Sequence, residues 1–343
     1  MSSKPLAIRR TGLVSSVGLS ARASCAAFRA KLTNPVTTRF VDANGEWILG
    51  HEVPMEQPWR GLEKLARMAA LSIEEALHAM PQAERGTVPM LLCVAEAGRP
   101  GRMQGLDDEL FARIEREVGY RFPARSAVLS HGRTGVAVAL AHARTLVHEE
   151  GLPQVLIVAV DGLLNWPTLK HFDLAGRLLS PKQSDGFMPG EAAGALLVGP
   201  RAGVPGELLC TGVGFGVEAA HIGSGEALRA EGLTRAIRAA LDDAGCQMHH
   251  MDFRIADLSG EQYYFKEAAL TLSRILRVRK KEFDLWHPAE CIGETGAAAG
   301  AAIVACAWAS ANKGYACGPN MLAHMSDDGG QRAALCLQQV VPA

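Results

Sequence analysis

A tight turn between an apolar segment and a helical repeat is the place where this sequence would put a nucleophile. Small and apolar residues at 124–129 predict a buried strand, and apolar residues recur at helical spacing from Val136 to Val147. A residue at such a turn lies at a helix N-terminus, where backbone N–H groups and the helix dipole stabilise a thiolate or an oxyanion. The turn reads Ser130-His-Gly-Arg-Thr-Gly135 and offers no cysteine.

The composition is that of an ordinary globular protein without an electrostatic footprint for nucleic acid. The 343 residues are 48% hydrophobic and 21% charged, with a net charge of −1. A near-neutral chain without a basic block argues against nucleic acid or an anionic membrane as a partner. No apolar run approaches the roughly 20 residues of a membrane span, and the start Met1-Ser-Ser-Lys-Pro5 lacks the apolar stretch of a secretory signal. We therefore expect a cytoplasmic protein.

Cysteine spacing and glycine-rich segments give no sign of a metal or cofactor. The eight cysteines show no paired short spacing of a zinc site, and most lie in apolar runs. We expect reduced thiols that act as small core hydrophobes. The glycine-rich segment 185–194 is not a phosphate loop, because it lacks both the Lys-Ser/Thr ending and a following helix.

Apolar periodicity divides the chain into alternating strands and helices. Predicted strands cover residues 6–16, 90–95, 124–129, 154–160, 208–215, 253–258 and 335–341, and the segment 185–198 is predicted as a glycine-rich turn that leads into a further strand. Predicted helices cover residues 20–32, 61–80, 106–118, 136–150, 226–244, 266–276 and 293–308. The segment 200–206 is rich in proline and glycine, so we place a boundary there between halves 1–202 and 203–343. This alternation predicts an α/β fold with a mostly parallel sheet covered by helices.

Four motifs occur in an order that resembles the β-ketoacyl synthases of the thiolase superfamily along nearly the whole chain. Thr11-Gly-Leu-Val-Ser-Ser-Val-Gly18 resembles their opening strand and turn. Asp185-Gly-Phe-Met-Pro-Gly-Glu-Ala-Ala-Gly194 is similar to their Asp-Gly-Phe-x-x-Gly-Glu/Asp-Gly-Ala-Gly signature. Gly293-Glu-Thr-Gly-Ala-Ala-Ala-Gly300 is similar to their Gly-His-x-x-Gly-Ala-Ala-Gly, and Gly329-Gly-Gln-Arg-Ala-Ala-Leu335 sits where their C-terminal Gly-Gly-x-Asn strand begins. The resemblance implies a thiolase-like five-layered αβαβα fold, two duplicated halves, and a dimer paired through the strand before the turn.

The catalytic residues of that family do not carry over to the matching positions. The nucleophilic cysteine of Cys-x-Ser/Thr-Gly falls on Gly132, because Gly135 matches the glycine of that motif. The first catalytic histidine, in Asn-Ala-His-Gly-Thr, falls on Ser259. The second, in Gly-His-x-x-Gly, falls on Glu294, and the family lysine falls on Ala289. The resemblance therefore implies a degenerate pocket, and we assign no catalytic residue.

These departures remove the groups on which decarboxylative condensation depends. That reaction needs a thiolate to hold the acyl chain and donors that stabilise the oxyanion. Loss of the nucleophile costs about 10⁶-fold in a well-studied hydrolase. An ionised Glu294 about 4 Å from a developing oxyanion would oppose that charge by roughly 4 kcal/mol at an effective dielectric of about 20. The family's Gly-Phe-Gly-Gly gate reads Asp327-Asp-Gly-Gly330, which we interpret as a solvated turn.

Other chemistry stays open at the same pocket. Ser130, His131 and Glu294 are in principle a hydrolytic set, although such residues also serve to satisfy polar groups in turns. Cys291 is a candidate displaced nucleophile for an acyltransferase of the 3-oxoacyl-ACP synthase type, acting on acyl-ACP or acyl-CoA, and Ser259 is a second candidate. A core role for Cys291 is the competing interpretation. A lipid or acyl-CoA binder without turnover is a further alternative.

Our leading hypothesis is a catalytically degenerate synthase-like protein that acts as a binding, dimerisation or accessory subunit. By resemblance, it would form a homodimer, or a heterodimer with a paralogous ketosynthase in the manner of the family's inactive chain-length subunits. An acyl carrier protein is another partner that the resemblance implies. Short thiolase-fold relatives without the nucleophile also resemble accessory proteins for effectors of contractile (type VI) secretion systems.

Overall fold

The computed structural model of the protein describes residues 4–341, so the first three residues of the predicted signal-free N-terminus lie outside the described residues. Its strands are β1 (Leu6–Val14), β2 (Val36–Val41), β3 (Trp47–Gly50), β4 (Met90–Cys93), β5 (Ala127–Leu129), β6 (Val155–Gly162), β7 (Glu191–Pro200), β8 (Leu208–Val217), β9 (Phe253–Ala256), β10 (Leu285–Trp286), β11 (Asn320–Ser326) and β12 (Gln331–Gln339). Its helices are α1 (Ala21–Ala30), α2 (Gly61–Ala76), α3 (Gln82–Arg85), α4 (Glu109–Val118), α5 (Gly135–His148), α6 (Trp166–Leu174), α7 (Glu231–Ala244), α8 (Gln262–Ile275), α9 (Ala289–Ile292) and α10 (Ala299–Asn312).

Two five-stranded units with the same topology make up the main sheet. The strand order is β10-β9-β11-β12-β8-β1-β7-β6-β4-β5, and the units join through a short antiparallel contact between β1 and β8. Across the sheet, the first unit runs β1-β7-β6-β4-β5 and the second runs β8-β12-β11-β9-β10. When the five strands of each unit are numbered by their order in the chain, both units have the order 1-5-4-2-3. Pair directions also match, since each unit has two antiparallel and then two parallel pairs. The predicted duplication of the fold is confirmed.

The sheet is mixed, so the prediction of a mostly parallel sheet is wrong. Counting the joint between the units, five of the nine strand pairs in the described sheet are antiparallel. Apolar periodicity reports how deeply a strand is buried and not its direction. Strands covered on both faces have near-continuous apolar runs whether their neighbours are parallel or antiparallel. The predicted boundary at 202/203 falls in the connection from β7 to β8, where we propose that the halves meet.

Two helices lie between the sheet units and form the middle of five layers. α5 and α10 contact each other and strands of both units, while α2 covers the outer face of the first unit with α4 against it, and α7 covers that of the second with α8 against it. The α10 helix is apolar and buried on every side except at Trp308 and its last residue, as predicted. A Cβ atom at Gly300 would lie only 2.8 Å from Cβ of Val136, so the two central helices approach each other at a glycine.

Several elements differ from the sequence-based prediction. The β2–β3 hairpin, α6 and β11 were not predicted, because the polar stretch at 33–58 and the short segments around 166 and 320 carry weak periodicity. α7 begins five residues later than predicted, at Glu231. The strand before the first turn is three residues long and half-buried instead of fully buried, because β5 is the edge strand of the sheet and has one neighbour only.

No helix within residues 4–341 is both long and apolar enough to cross a lipid bilayer.

Candidate functional site

Two equivalent sharp turns lie against each other where the central helices begin. Gly132 starts a short 3-10 turn that leads into α5, and Gly296 starts the corresponding turn that leads into α10. Their φ angles are +50° and +56°, a region that residues with a side chain adopt only at a cost. The duplicated fold therefore brings two helix N-termini together at the centre of the molecule.

The carboxylate of Glu96 fills the space beside Gly132. A Cβ atom at Gly132 would lie 2.2 Å from Oε2 of Glu96 and 2.8 Å from Oδ2 of Asp327. Both distances are far inside van der Waals contact, so no side chain fits at this position while the two carboxylates remain in place. Gly132 is the position that the family resemblance assigns to the nucleophile. Burial, reinforced by Glu96, raises the pKa of Asp327.

Arg99 connects the first turn to the second. Its guanidinium donates to both oxygens of Glu96, at 3.0 and 2.7 Å, and lies 2.7 Å from Oδ2 of Asp161. Asp161, near the end of β6, accepts a hydrogen bond from the backbone N–H of Ala297 in the second turn at 2.8 Å. A carboxylate thus lies against each turn, and the Arg99 side chain, which is 7% exposed, neutralises both of them.

Arg133 links the first turn to polar residues of the second half. Its Nη1 donates to Oε2 of Glu294 at 3.1 Å. The same oxygen accepts from Oγ of Ser259 at 2.9 Å, and Oε1 accepts from the backbone N–H of Gly296 at 2.8 Å. Both oxygens of Glu294 are therefore occupied by donors from this chain. The Glu294 carboxylate therefore holds Arg133, Ser259 and the second turn together in one hydrogen-bonded ion-pair network.

Asp328 joins Arg133 to a second arginine. It accepts hydrogen bonds from Arg133 and from the hydroxyl of Tyr264, while Arg177 donates to its two oxygens at 2.6 and 3.2 Å. Arg177 also holds Glu261 with two hydrogen bonds of 2.6 and 2.8 Å. Burial acts to raise the pKa of Asp328, but Arg133 and Arg177 outweigh it and hold the pKa below its usual value.

The Asp327–Asp328 pair does not form the predicted solvated turn. Asp327 is buried and Asp328 is half-buried against guanidinium groups. The sequence prediction failed because the partners lie far away in the chain.

Nearby, burial raises the pKa of Asp257 to about 7, although its Oδ2 accepts from the backbone N–H of Ser326 at 2.8 Å.

The remaining cavity between these ion pairs is too small for a substrate. It is bounded by the network and by Phe172 and Phe187, and its volume is about 20 Å³. Such a volume holds roughly one water molecule. Among residues 4–341, no group of three or more His, Cys, Asp or Glu residues is arranged to bind a metal ion.

The structure brings three of the four predicted pocket positions together. Gly132, Ser259 and Glu294 all belong to the network around the two turns. Cys291 lies apart, buried in an apolar cluster with Leu13, Ala21, Phe28 and Ile292, where burial raises the pKa of its thiol to about 11.

The flanking serine and histidine also lie outside the network. Ser130 donates to Asp107 at 2.5 Å, and His131 is exposed to solvent. The hydrolytic set suggested by the sequence is therefore not assembled.

Sequence reasoning missed the residues that occupy the pocket. The sequence analysis singled out neither Glu96 nor the three arginines that hold the carboxylates of both halves, which are Arg99, Arg133 and Arg177. One usable signal was Arg133, a charged residue between Gly132 and the start of a buried helix. Such a residue must find an anionic partner when it is buried, because an unpaired buried charge is very costly.

Known protein structures share this fold at low sequence identity. The ishigamide ketosynthase/chain length factor matches with a TM-score of 0.80 and 18% identity, over 98% of this chain and 100% of its own. The ketosynthase ApeO in complex with its chain length factor ApeC, from Xenorhabdus doucetiae, matches with a TM-score of 0.76 and 15% identity, over 98% of each chain. AntDE:AntF, a type II PKS acyl-carrier protein in complex with its ketosynthase, matches with a TM-score of 0.81 and 14% identity, over 98% of this chain and 100% of its own. No protein-family model and no curated protein matches the chain.

These matches establish the fold of the protein. The chain has the thiolase-like α/β fold of the ketosynthases over nearly its whole length, as the sequence motifs implied. At identities of 14 to 18%, the likeness concerns the fold alone.

Proposed function

We propose that the protein is a catalytically degenerate ketosynthase-like subunit that binds and supports a protein partner. The observation that carries this proposal is the Glu96 carboxylate beside Gly132, where a nucleophilic side chain would need to stand. The adjacent ion pairs reduce the cavity to about 20 Å³, so neither an acyl chain nor a thioester has room. The fold remains intact while the pocket is filled, which favours a role for the outer surface.

The electrostatics of the filled pocket also oppose condensation. A tetrahedral intermediate needs hydrogen-bond donors aimed at its oxyanion. Here the backbone N–H of Gly296 is already bound to Glu294, and that of Ala297 is bound to Asp161. The two carboxylates therefore occupy these N–H groups of the second turn, so neither is available to an oxyanion.

The alternative of a displaced nucleophile gains no support from the geometry. Cys291 is 1% exposed and surrounded by apolar side chains, and burial raises the pKa of its thiol to about 11. A thiol becomes a nucleophile when a nearby positive group lowers its pKa. Ser259 donates a hydrogen bond to the Glu294 carboxylate, which Arg133 already neutralises and which borders a cavity of only about 20 Å³.

A partner at the β5 edge fits the accessory role. β5 is the last strand of the sheet and its second edge is open among the described residues. Open edges pair readily with strands of other chains. We propose that this edge meets a second copy or a paralogous ketosynthase, since two of the similar structures are named as ketosynthases with a chain length factor. An effector of a contractile secretion system is the other client that the sequence resemblance suggested.

The decisive test of the pocket is the intact mass of the purified protein. Incubation with acyl-CoA, and separately with acyl-loaded carrier protein, should leave the mass unchanged. A stable acyl adduct on any residue would refute the proposal. A catalytically intact ketosynthase treated in parallel provides the positive control.

Co-expression separates the two classes of partner. The protein is expressed with a ketosynthase paralogue from its own genome, and separately with an effector encoded beside it. Co-elution as a stoichiometric complex with one of them identifies the client. If both leave the protein unbound and it stays monomeric, the accessory role is wrong.

A further inference from the structure

A second cavity lies away from the filled pocket and shares none of its lining residues. It is a cleft lined by the β2–β3 hairpin, the start of α2, the loop 101–104 and the segment 162–167. Its volume is about 750 Å³. Pockets that bind small molecules typically measure about 300–1,000 Å³. This cavity is therefore of the size that a small organic ligand needs, whereas the filled pocket is not.

The walls of the cavity combine apolar surface with aromatic rings. Trp59, Phe40 and Leu164 contribute side chains from three different segments of the chain. Phe40 is held in place by stacking on Trp166 with ring centroids 6.3 Å apart, and Trp59 is fixed by the guanidinium of Arg67, 3.8 Å from its ring centre. Aromatic groups that are already positioned bind an apolar ligand body with little loss of side-chain entropy.

Positive charge exceeds negative charge along the same walls. Four cationic side chains line the cavity, against the carboxylates of Glu52 and Glu191. The cationic residues are Arg39, Arg60, Lys64 and Arg102. Arg102 is neutralised by Asp107, with contacts of 2.8 and 2.6 Å. Within residues 4–341, neither Arg39 nor Arg60 has a carboxylate within ion-pair distance.

Lys64 places an ammonium group deep in the wall. Its side chain is 9% exposed, and Nζ contacts Glu191 and, at 3.1 Å, Glu52. Glu191 is equally buried, and burial raises its pKa. Glu52 is half-exposed, so an incoming anion can share the ammonium group by displacing a solvated carboxylate at small cost.

We propose that this cavity binds a small organic anion with an apolar body. The acid group lies toward Arg60 and Lys64, and the apolar body packs on Trp59. Binding at this cleft does not depend on the role of the filled pocket, because the two cavities have separate walls. The first half of the fold thus carries a ligand-binding cleft separate from the filled pocket.

A matched pair of fluorescent probes tests the proposal. The anion 8-anilinonaphthalene-1-sulfonate carries both an acid group and an apolar aromatic body. The uncharged N-phenyl-1-naphthylamine carries the apolar body alone. We expect saturable binding of the anion at one site per chain, weakened by added salt, and weaker binding of the neutral probe. Absence of saturable binding of the anion by the folded protein would overturn the proposal.

Charge reversal locates the site. Arg60→Glu should weaken binding of the anionic probe by about tenfold and leave the neutral probe within about twofold. Arg279→Glu, an exposed arginine outside the cavity, makes the same change in net charge and should leave both probes within about twofold. Equal effects of the two substitutions would place the anion elsewhere and overturn the proposal.

A change in the apolar wall provides the second readout. Trp59→Ala should weaken both probes by about tenfold, because it removes a large aromatic contact. Melting temperatures of all three variants show whether each is folded. If Trp59→Ala is folded and still binds both probes as the unchanged protein does, the apolar body does not lie in this cavity.

Discussion

Oε2 of Glu96 lies 2.2 Å from the point where a Cβ atom would stand at Gly132. This relationship decides what the first turn can do, because the turn would otherwise present a side chain at the N-terminus of a buried helix. Arg99 fixes the carboxylate with two hydrogen bonds, so it cannot rotate away without breaking an ion pair. The pocket therefore lacks a cysteine, and in addition the Glu96 carboxylate occupies the space that a side chain at Gly132 would need.

A side chain at Gly132 should destabilise the protein more than backbone strain alone explains. Gly132→Ala introduces the positive-φ penalty of about 1–2 kcal/mol and a clash of about 1–3 kcal/mol. Gly119→Ala is the matched control, since Gly119 also has a positive φ, +80°, but no atom within 4 Å of an added Cβ. Urea unfolding should give a loss for Gly132→Ala larger by about 1–3 kcal/mol.

The double variant Glu96→Ala with Gly132→Ala separates the clash from the strain. Removal of the carboxylate should make the cost of Gly132→Ala approach that of Gly119→Ala, as a double-mutant cycle measures. Equal losses for the two alanine substitutions in the unchanged background would mean that Glu96 does not fill the space.

Asp257 should make the protein less stable as the pH rises from about 4 toward 7. Burial raises the pKa of its carboxyl from the ordinary 3.8 to about 7, so the folded state holds a proton that the unfolded state releases. Stability then falls with rising pH in this window by at most about 1.4 kcal/mol per pH unit. Asp257→Asn removes the titrating group while its side-chain oxygen can still accept from Ser326.

The test measures the free energies of unfolding of Asp257→Asn and of the unchanged protein at pH 5 and at pH 7, and takes the difference between the two proteins at each pH. We expect this difference to shift in favour of the variant as the pH rises. Asp328 cannot produce the same signal, because its lowered pKa makes stability fall at acidic pH instead. A difference that stays constant between pH 5 and 7 would show that Asp257 is ionised in the folded protein.

The regular elements of the fold were predictable because their causes are local. The α1 helix begins after Ser20, whose side chain accepts from the backbone N–H of Ala23, and that capping residue was recognisable in the sequence. The buried α10 helix followed from an uninterrupted run of alanine and apolar residues. Strand directions were not predictable in this way, since they depend on connections between distant segments.

The candidate site was predictable in position but not in content. Motif spacing placed Gly132, Ser259 and Glu294 at one pocket, and the structure joins Ser259 to Glu294 at 2.9 Å. The side chains that fill the pocket pair with residues far away in the chain. Arg133 and Asp328, for example, are 195 residues apart. No local pattern specifies such a pair. The same limit explains why the acidic 327–328 segment was mistaken for a solvated turn.

Thiol labelling under native conditions should follow exposure and leave Cys291 unmodified. Among the eight free cysteines, Cys317 is exposed, Cys246 is intermediate and the other six are buried. A disulfide reagent should therefore modify Cys317 first, since the thiolate must be reached by the reagent. Mass mapping of the labelled peptides identifies the modified cysteine. After unfolding in denaturant, all eight thiols should react with the reagent. Selective labelling of Cys291 in the folded protein would revive the displaced-nucleophile hypothesis.

The hydrogen-bonding directions of β5 identify the residue that faces its open edge. The carbonyl of Leu129 accepts from the backbone N–H of Val94, just beyond β4, at 3.0 Å. Because backbone groups alternate in direction along a strand, the N–H and carbonyl of Val128 point away from β4. Val128 therefore offers its backbone groups to a strand of another chain.

Val128→Pro should abolish association through β5 while leaving the subunit folded. Proline removes the outward N–H and is tolerated on edge strands whose N–H faces solvent, so no hydrogen bond within the chain is lost. Val128→Thr is the matched control, because it keeps the N–H and the β-branched shape. Light scattering after size exclusion should show a monomer for the proline variant and the unchanged assembly for the threonine variant. Persistence of the assembly with proline at this position would place the partner surface elsewhere on the molecule.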